Sequence, residues 1–263
     1  MILKQKNRLK MIKLFKLSLF IAIIISSSLY SQTITVAAAS NLKYAMDDII
    51  LEFTKETGIS VKPIFGASGK LAQQILSGAP YDLFLSADME FPSKLAQNGF
   101  TLTNPKVYAY GTLVLWSANQ TPLKGGISEL CSKKNLTLAI ANPKTAPYGI
   151  EAMNALHFYN ENNTCNAKIV TAESISQVGS YVTTQAADVG FIAKSVVLSD
   201  EMRKIGKWVD INPKAYKAIG QAMVMLKSNS AENHASAKRF FDFMSSPIAQ
   251  GILKRNGYIV PKP

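Results

Sequence analysis

The chain has little cysteine, histidine or tryptophan: 2 of each in 263 residues. That scarcity excludes a disulfide-built scaffold. A zinc site is disfavoured too, because no CxxC pair is present and His157 and His234 read as ordinary helix-surface residues. Acid is also short, with 17 Asp and Glu against 29 Lys and Arg, for a formal charge of +12. No Lys/Arg run with interleaved aromatics marks a nucleic-acid groove, so the excess reads as a solvated basic surface and no nucleic-acid partner is expected. Internal repeats and low-complexity linkers are absent as well.

What is present begins with a targeting pattern. Lys4, Lys6, Arg8, Lys10, Lys13 and Lys16 precede an apolar stretch at 17–25, and Ser26, Ser27 and Ser28 supply the small residues a signal peptidase prefers. Cleavage after Ser28 or Ser31 is expected. The stretch is shorter than the roughly 20 apolar residues a membrane span needs, and no cysteine stands near the cut to take a lipid. Residues 1–31 therefore read as a signal peptide and the product as a free periplasmic protein. Because that segment holds six of the basic residues and no acid, 263 residues and +12 become 232 residues and +6. Cys131 and Cys165 then enter an oxidising compartment, either as a disulfide contributing roughly 3 to 4 kcal/mol or as two buried thiols.

Beyond the leader, strand-like and helix-like runs alternate, which argues an α/β fold with helices covering sheets. Strands are expected at 34–38, 61–65, 82–85, 112–116, 136–140, 169–171, 189–193 and 222–226. The helix at 42–56 carries Leu42, Ala45, Ile49 and Phe53 at a spacing of three and four and stops at Gly58. In such sheets ligands sit beyond the carboxyl ends of the strands, where loops lead into helix N-termini.

Four of those turns could serve an anion. After the first strand come Ala39, Ser40 and Asn41, with Ser40 in the position of an N-cap. After the second come Gly66, Ala67, Ser68 and Gly69, where the glycines allow close backbone approach, and then a helix at 70–76. The third runs from Ala141 to Gly149 with Pro147 in the first turn of its helix, and in the fourth Ser174 precedes a helix starting near Ile175. Four helix starts offering NH groups and positive dipole ends suffice to hold an anion without lysine or arginine. A buried dianion must receive several short hydrogen bonds to offset its lost hydration.

Several segments carry a family likeness: AAASNL at 37–42, FGASGKLAQQI at 65–75, GAPYDLFLSAD at 78–88, YAYGTLVLWS at 108–117, NPKTAPYG at 142–149 and VGFIAKSV at 189–196. Together they resemble the periplasmic molybdate-binding proteins of molybdate ABC transporters, in order and over nearly the whole mature chain. The resemblance implies a two-lobe, type II periplasmic binding fold whose lobes are joined by two crossover strands and close on the ligand like a hinged clamp. Lobe one would be 33–111 plus 222–263, lobe two 112–221, and the hinge 110–112 and 220–222. It implies a monomer that delivers molybdate, and tungstate, to a membrane permease, with molybdenum held only as the oxyanion and no further cofactor. The implied contacts are the Ser40 hydroxyl, the Asn41 NH, the Ser68 hydroxyl and NH, and the backbone NH groups of Tyr148 and Ile175. Some members add a tyrosine hydroxyl where this chain has Ala193; here Asn41 follows the first serine, as in the subgroup lacking that donor.

Other readings compete. Sulfate or another tetrahedral oxyanion would suit the same donors, whereas a phosphate that keeps a proton would need an acceptor that these contacts lack. Ser40 and Lys43 spell Ser-x-x-Lys, the nucleophile motif of penicillin-binding acyl-transfer enzymes, but no Ser-Asp-Asn follows and Lys144-Thr145 runs into Ala146 rather than glycine. The stretch 66–70 lacks the spacing of a phosphate loop. Asp82 with Asp88, and Asp47 with Asp48, read as caps and strand-end residues, and Trp116 and Trp208 as packing aromatics.

Overall fold

The computed structural model describes residues 33–119, 121–159, 165–227 and 233–261; the expected signal segment lies outside them. The chain builds two mixed sheets with helices on their faces. Thr33–Ala39 (β1), Ser60–Gly66 (β2) and Leu83–Leu85 (β3) are followed by Lys106–Gly111 (β4) and, across a first passage of chain, by Leu113–Ser117 (β5). Thr137–Ala141 (β6), Lys168–Ala172 (β7), Val189–Ala193 (β8) and Lys207–Asp210 (β9) follow, and the chain then returns in Ile219–Met225 (β10).

The first sheet has the order β2-β1-β3-β10-β4 and the second β7-β6-β8-β5-β9. Each has three parallel strands, then one antiparallel strand, then an edge strand. In the first sheet the antiparallel strand arrives from the far end of the chain; in the second it enters directly from β4. The chain therefore crosses between lobes twice, at Gly111–Leu113 and between Asp210 and Ile219. The returning strand is already paired at Ile219, opposite Gly111, three residues before the expected start at 222.

Both faces of the first sheet are buried. Val36, Ala38, Leu83, Leu85, Met223 and Met225 join one core, while the intervening Ala37, Phe84 and Val224 join the other. This period of two is what a sheet covered on both sides imposes, and it explains why these strands read as unbroken apolar runs. Phe53 anchors the first core edge-on to Phe240 and Phe243, with ring centroids 5.0 and 5.4 Å away. Its helix, Lys43–Thr57 (α1), ends as expected at Gly58, whose φ of 71° is the left-handed conformation that closes helices. The helix Glu90–Gln97 (α3) follows β3, and in the second lobe Cys131 is bonded to Cys165, tying the helix Gly126–Ser132 (α4) to the segment that enters β7.

Three local expectations need correcting. Ser40 is not an N-cap: it opens a 3-10 turn, Ser40–Leu42, that leads into α1, with Ala39 in the cap position and no side-chain cap. The helix after the second strand, Ser68–Leu76 (α2), begins at Ser68 itself, two residues early. His234 is not a surface residue in full, since its Nε2 is buried at the start of the helix His234–Phe243. Two strands were also not anticipated, Lys106–Gly111 and the four-residue Lys207–Asp210.

Candidate functional site

The parallel pairings place all four expected turns on facing edges of the two sheets. Ala39 lies opposite Gly66, so the segments beginning at Ser40 and Ser68 leave the same edge of the first sheet side by side. Ala141 lies opposite Ala172, so the turns leading to Pro147–Tyr159 (α5) and Ile175–Thr183 (α6) leave one edge of the second sheet. Contacts between the lobes then join the two edges. The Ser176 NH donates to Ser40 Oγ at 3.4 Å, and the Gly69 NH donates to the Thr145 carbonyl at 2.8 Å. Lys70 forms an ion pair with Glu173 across the same gap, and the Tyr44 hydroxyl donates to Glu201 at 3.3 Å.

Ser40, Asn41, Ser68, Tyr148 and Ile175 are all buried at or beside this interlobe cleft. Ser68 Oγ accepts the Ala87 NH at 2.9 Å, an arrangement that uses a lone pair and leaves the hydroxyl proton to donate. Because Pro147 has no NH, the first one α5 offers is that of Tyr148, and Ile175 opens α6 in the same way. The Ser174 side chain, in turn, accepts from the Gln177 NH at 3.4 Å and caps α6. First-turn NH groups have no acceptor within their own helix, and the positive ends of these helices add to their pull on an anion. The Thr145 hydroxyl, buried without a partner among the described residues, is one more donor beside the Gly69 contact.

Behind these groups lies a buried polar cluster the sequence reading missed. Gln221, on the returning strand β10, accepts from Asn41 Nδ2 at 3.0 Å and from the Tyr108 hydroxyl at 2.8 Å, and its amide nitrogen donates to the Tyr148 hydroxyl at 3.1 Å. Asn41 Nδ2 also donates to the Tyr258 hydroxyl, and the Asn41 carbonyl accepts from Tyr258 and from Ser195, each at 2.9 Å. Burial raises the pKa of Tyr108, Tyr148 and Tyr258 well above the usual phenol range, so all three stay neutral and able to donate. One signal in the sequence could have found the cluster: a lone glutamine in the apolar run IGQAMVM, since a polar side chain buried in a strand needs partners.

The competing motifs resolve locally. Lys43 places its ammonium over the Tyr44 ring, 5.4 Å from the centroid, while Ser40 Oγ meets the Ser176 NH, so the two do not form a nucleophile and its base. Asp82 accepts the Thr35 NH at 2.7 Å and Asp88 accepts the Phe91 NH at 3.2 Å, which are structural roles. Ala193 is fully buried at the end of β8, and two residues on Ser195 meets the Asn41 carbonyl. Among the described residues no group of three or more His, Cys, Asp or Glu could hold a metal ion, and no helix is long and apolar enough to cross a membrane.

With this geometry in hand, the chain compares closely with known proteins. The family described as bacterial extracellular solute-binding protein matches residues 34–259. A molybdate-binding protein of Rhodobacter capsulatus is 36% identical over 85% of this chain and 86% of its own length. One of Azotobacter vinelandii is 35% identical over 86% of this chain and 89% of its own. The solved structure of an Azotobacter vinelandii periplasmic molybdate-binding protein superposes with a TM-score of 0.77 at 33% identity, covering 87% of this chain and all (100%) of that one.

Proposed function

The chain belongs to the bacterial extracellular solute-binding proteins and, within them, to the molybdate-binding proteins, and from that premise we propose that it captures molybdate between its lobes for an ABC transporter. The observation that carries the reading is the convergence of four helix starts, two from each lobe, on one cleft bridged by the Ser40–Ser176 and Gly69–Thr145 hydrogen bonds. The anion is held by the hydroxyls of Ser40 and Ser68 and by the NH groups of Asn41, Ser68, Tyr148 and Ile175. Its charge is spread over neutral dipoles, so no counter-ion need be desolvated with it. Molybdenum enters only as the oxyanion, and tungstate, nearly the same size, binds with it. No further cofactor is needed.

The protein works in the periplasm as a monomer, with residues 1–31 as the export signal, 33–111 with 222–263 as lobe one and 112–221 as lobe two. Closure presents a loaded surface to a membrane permease, because a protein that gripped its ligand equally in open and closed forms could not signal loading. None of the five contact residues is an acid, so a phosphate that keeps a proton finds no carboxylate among them to accept it. Sulfate meets the same donors and is separated from molybdate by size alone. Isothermal calorimetry of the mature protein against an oxyanion panel tests this: heat release with molybdate and tungstate, little with sulfate and none with phosphate. Equal affinity for sulfate and molybdate would overturn the specificity.

A further inference from the structure

Gln221 connects two groups that stand on opposite lobes. Its carboxamide oxygen takes hydrogen bonds from Asn41, at the first turn of lobe one, and from Tyr108; its nitrogen gives one to the Tyr148 hydroxyl, in the first turn of a lobe-two helix. It is wholly buried, opposite Ala109, where the register of β10 and β4 shifts between Gln221 and Ala222. That position is two residues past Ile219, where the returning strand first pairs with the first sheet. The space is tight: a Cβ at Gly111, in the other crossing, would overlap both the Tyr148 hydroxyl and the Gln221 nitrogen. An amide suits the place because it accepts on one end and donates on the other.

We propose that Gln221 is a positioning residue that couples the lobe-one and lobe-two anion contacts and sets their separation in the closed form. The proposal rests on the reading of the cleft as an oxyanion site. Asn41 and Tyr148 reach the anion through backbone NH groups, so side-chain identity there is not needed for contact, yet both side chains are tied to one amide. Opening the lobes breaks the Tyr148 bond and leaves a buried Gln221 donor unpaired. Closing restores it, so the amide favours the closed form and fixes how far apart the two NH groups stand. A fixed separation discriminates between tetrahedral anions that differ in size but not in charge.

The test is anion binding by three single variants beside the wild type, with calorimetric affinities for molybdate and sulfate and a stopped-flow off-rate for molybdate. Gln221→Met removes all three bonds in similar volume, and Tyr148→Phe removes one oxygen while keeping the backbone NH. Each should weaken molybdate binding about tenfold, the worth of one net hydrogen bond, chiefly through a faster off-rate, and should narrow the preference over sulfate. Gln221→Glu adds a readout that packing alone would not give. Its buried carboxyl, when protonated, can accept and donate as the amide does; ionised, it can only accept, so the Tyr148 hydroxyl must reverse to donate and a negative charge stands between the two anion contacts. Its affinity should approach wild type near pH 6 and fall by pH 8.5, while the wild-type affinity stays flat. Should Gln221→Met fail to fold, Tyr148→Phe and Gln221→Glu carry the same test. Wild-type off-rate and molybdate preference in the variants, with only the melting temperature lowered, would make Gln221 a structural filler and overturn the coupling. A wild type that binds no oxyanion would overturn the function itself, a separate outcome.

Discussion

The backbone of Gly69 touches the backbone of Thr145: its NH donates to the Thr145 carbonyl at 2.8 Å, joining the start of a lobe-one helix to the loop that precedes a lobe-two helix. A Cβ at residue 69 would stand 3.0 Å from both Thr145 Cα and its carbonyl oxygen, and 2.7 Å from Phe91 Cζ. Phe91 can swing aside, but the Thr145 backbone can yield only if the lobes part. Gly69→Ala should therefore weaken molybdate binding by about 1 to 3 kcal/mol, the usual cost of overpacking, or roughly 5- to 150-fold. The ligand-free melting temperature should hardly move. Calorimetry and thermal melts check both halves, and undiminished affinity would show that this contact is not needed for closure.

Ser68 makes a sharper case for a direct donor. Its hydroxyl oxygen already accepts the Ala87 NH, which orients the group and leaves its proton for the anion. Ser68→Ala removes a hydrogen bond to a charged group and leaves Ala87 unpaired, so affinity should fall by about 1.5 to 3 kcal/mol. Ser68→Thr, with the hydroxyl kept, should lose less. Equal losses in the two variants would point to steric crowding rather than to a missing donor.

The broad architecture could be read from the sequence because α/β alternation and turn chemistry are local signals. The helix stop at Gly58, the Pro147 start and the helix start after Ser174 needed only a few adjacent residues. Lys207–Asp210 escaped because four edge residues show no period, and Lys106–Gly111 because it runs straight into the crossing. Ser40 misled for a different reason: a serine before a helical pattern usually caps it, but here a 3-10 turn intervenes and the hydroxyl faces the other lobe. The Asn41, Gln221 and Tyr258 cluster joins residues 180 and 217 positions apart, which no window along the chain can see.

Asp88 gives the fold a pH dependence. Burial raises its carboxyl pKa from 3.8 to about 6, against hydrogen bonds from Ser86 and the Phe91 NH that pull the other way. The folded form thus holds the proton more tightly than the unfolded chain does. Its contribution is complete below pH 4 and is lost as the pH rises through 6, so stability should decline over that window by at most about 3 kcal/mol. Asp88 keeps some contact with water, and the observed change should be the smaller for it. Asp88→Asn, which preserves the acceptor, should flatten the slope in urea titrations at pH 4, 5, 6 and 7. An unchanged slope would assign the pH dependence elsewhere.

Cys131 and Cys165 close a loop of sequence separation 34 around the edge of the second lobe. On the chain-entropy account, reducing the bond should lower stability by roughly 3 to 4 kcal/mol. The bond lies away from the four helix starts, so molybdate affinity at 25 °C should survive in the fraction that remains folded. Urea melts with and without a reductant measure the first quantity, and calorimetry on a Cys131→Ala, Cys165→Ala protein measures the second. A large affinity loss in that protein would mean that the bridge shapes the cleft.

Lys70 and Glu173 face each other between the lobes with 48% and 52% of their side chains exposed, in an ion pair that closure would make and opening would break. Exposed pairs contribute roughly 0.2 to 1 kcal/mol, so neutralising either partner should weaken binding no more than about fivefold, and raised salt should erase the difference. The two partners differ, however, in what they do before closure. Lys70 attracts an incoming dianion and Glu173 repels it, which is a rate effect rather than a contact. Lys70→Gln should therefore slow association, Glu173→Gln should speed it, and both should hasten release. Stopped-flow rates at low and high salt separate these terms. If the two variants change association in the same direction, the pair acts only as a latch, and steering must come from elsewhere on the basic surface.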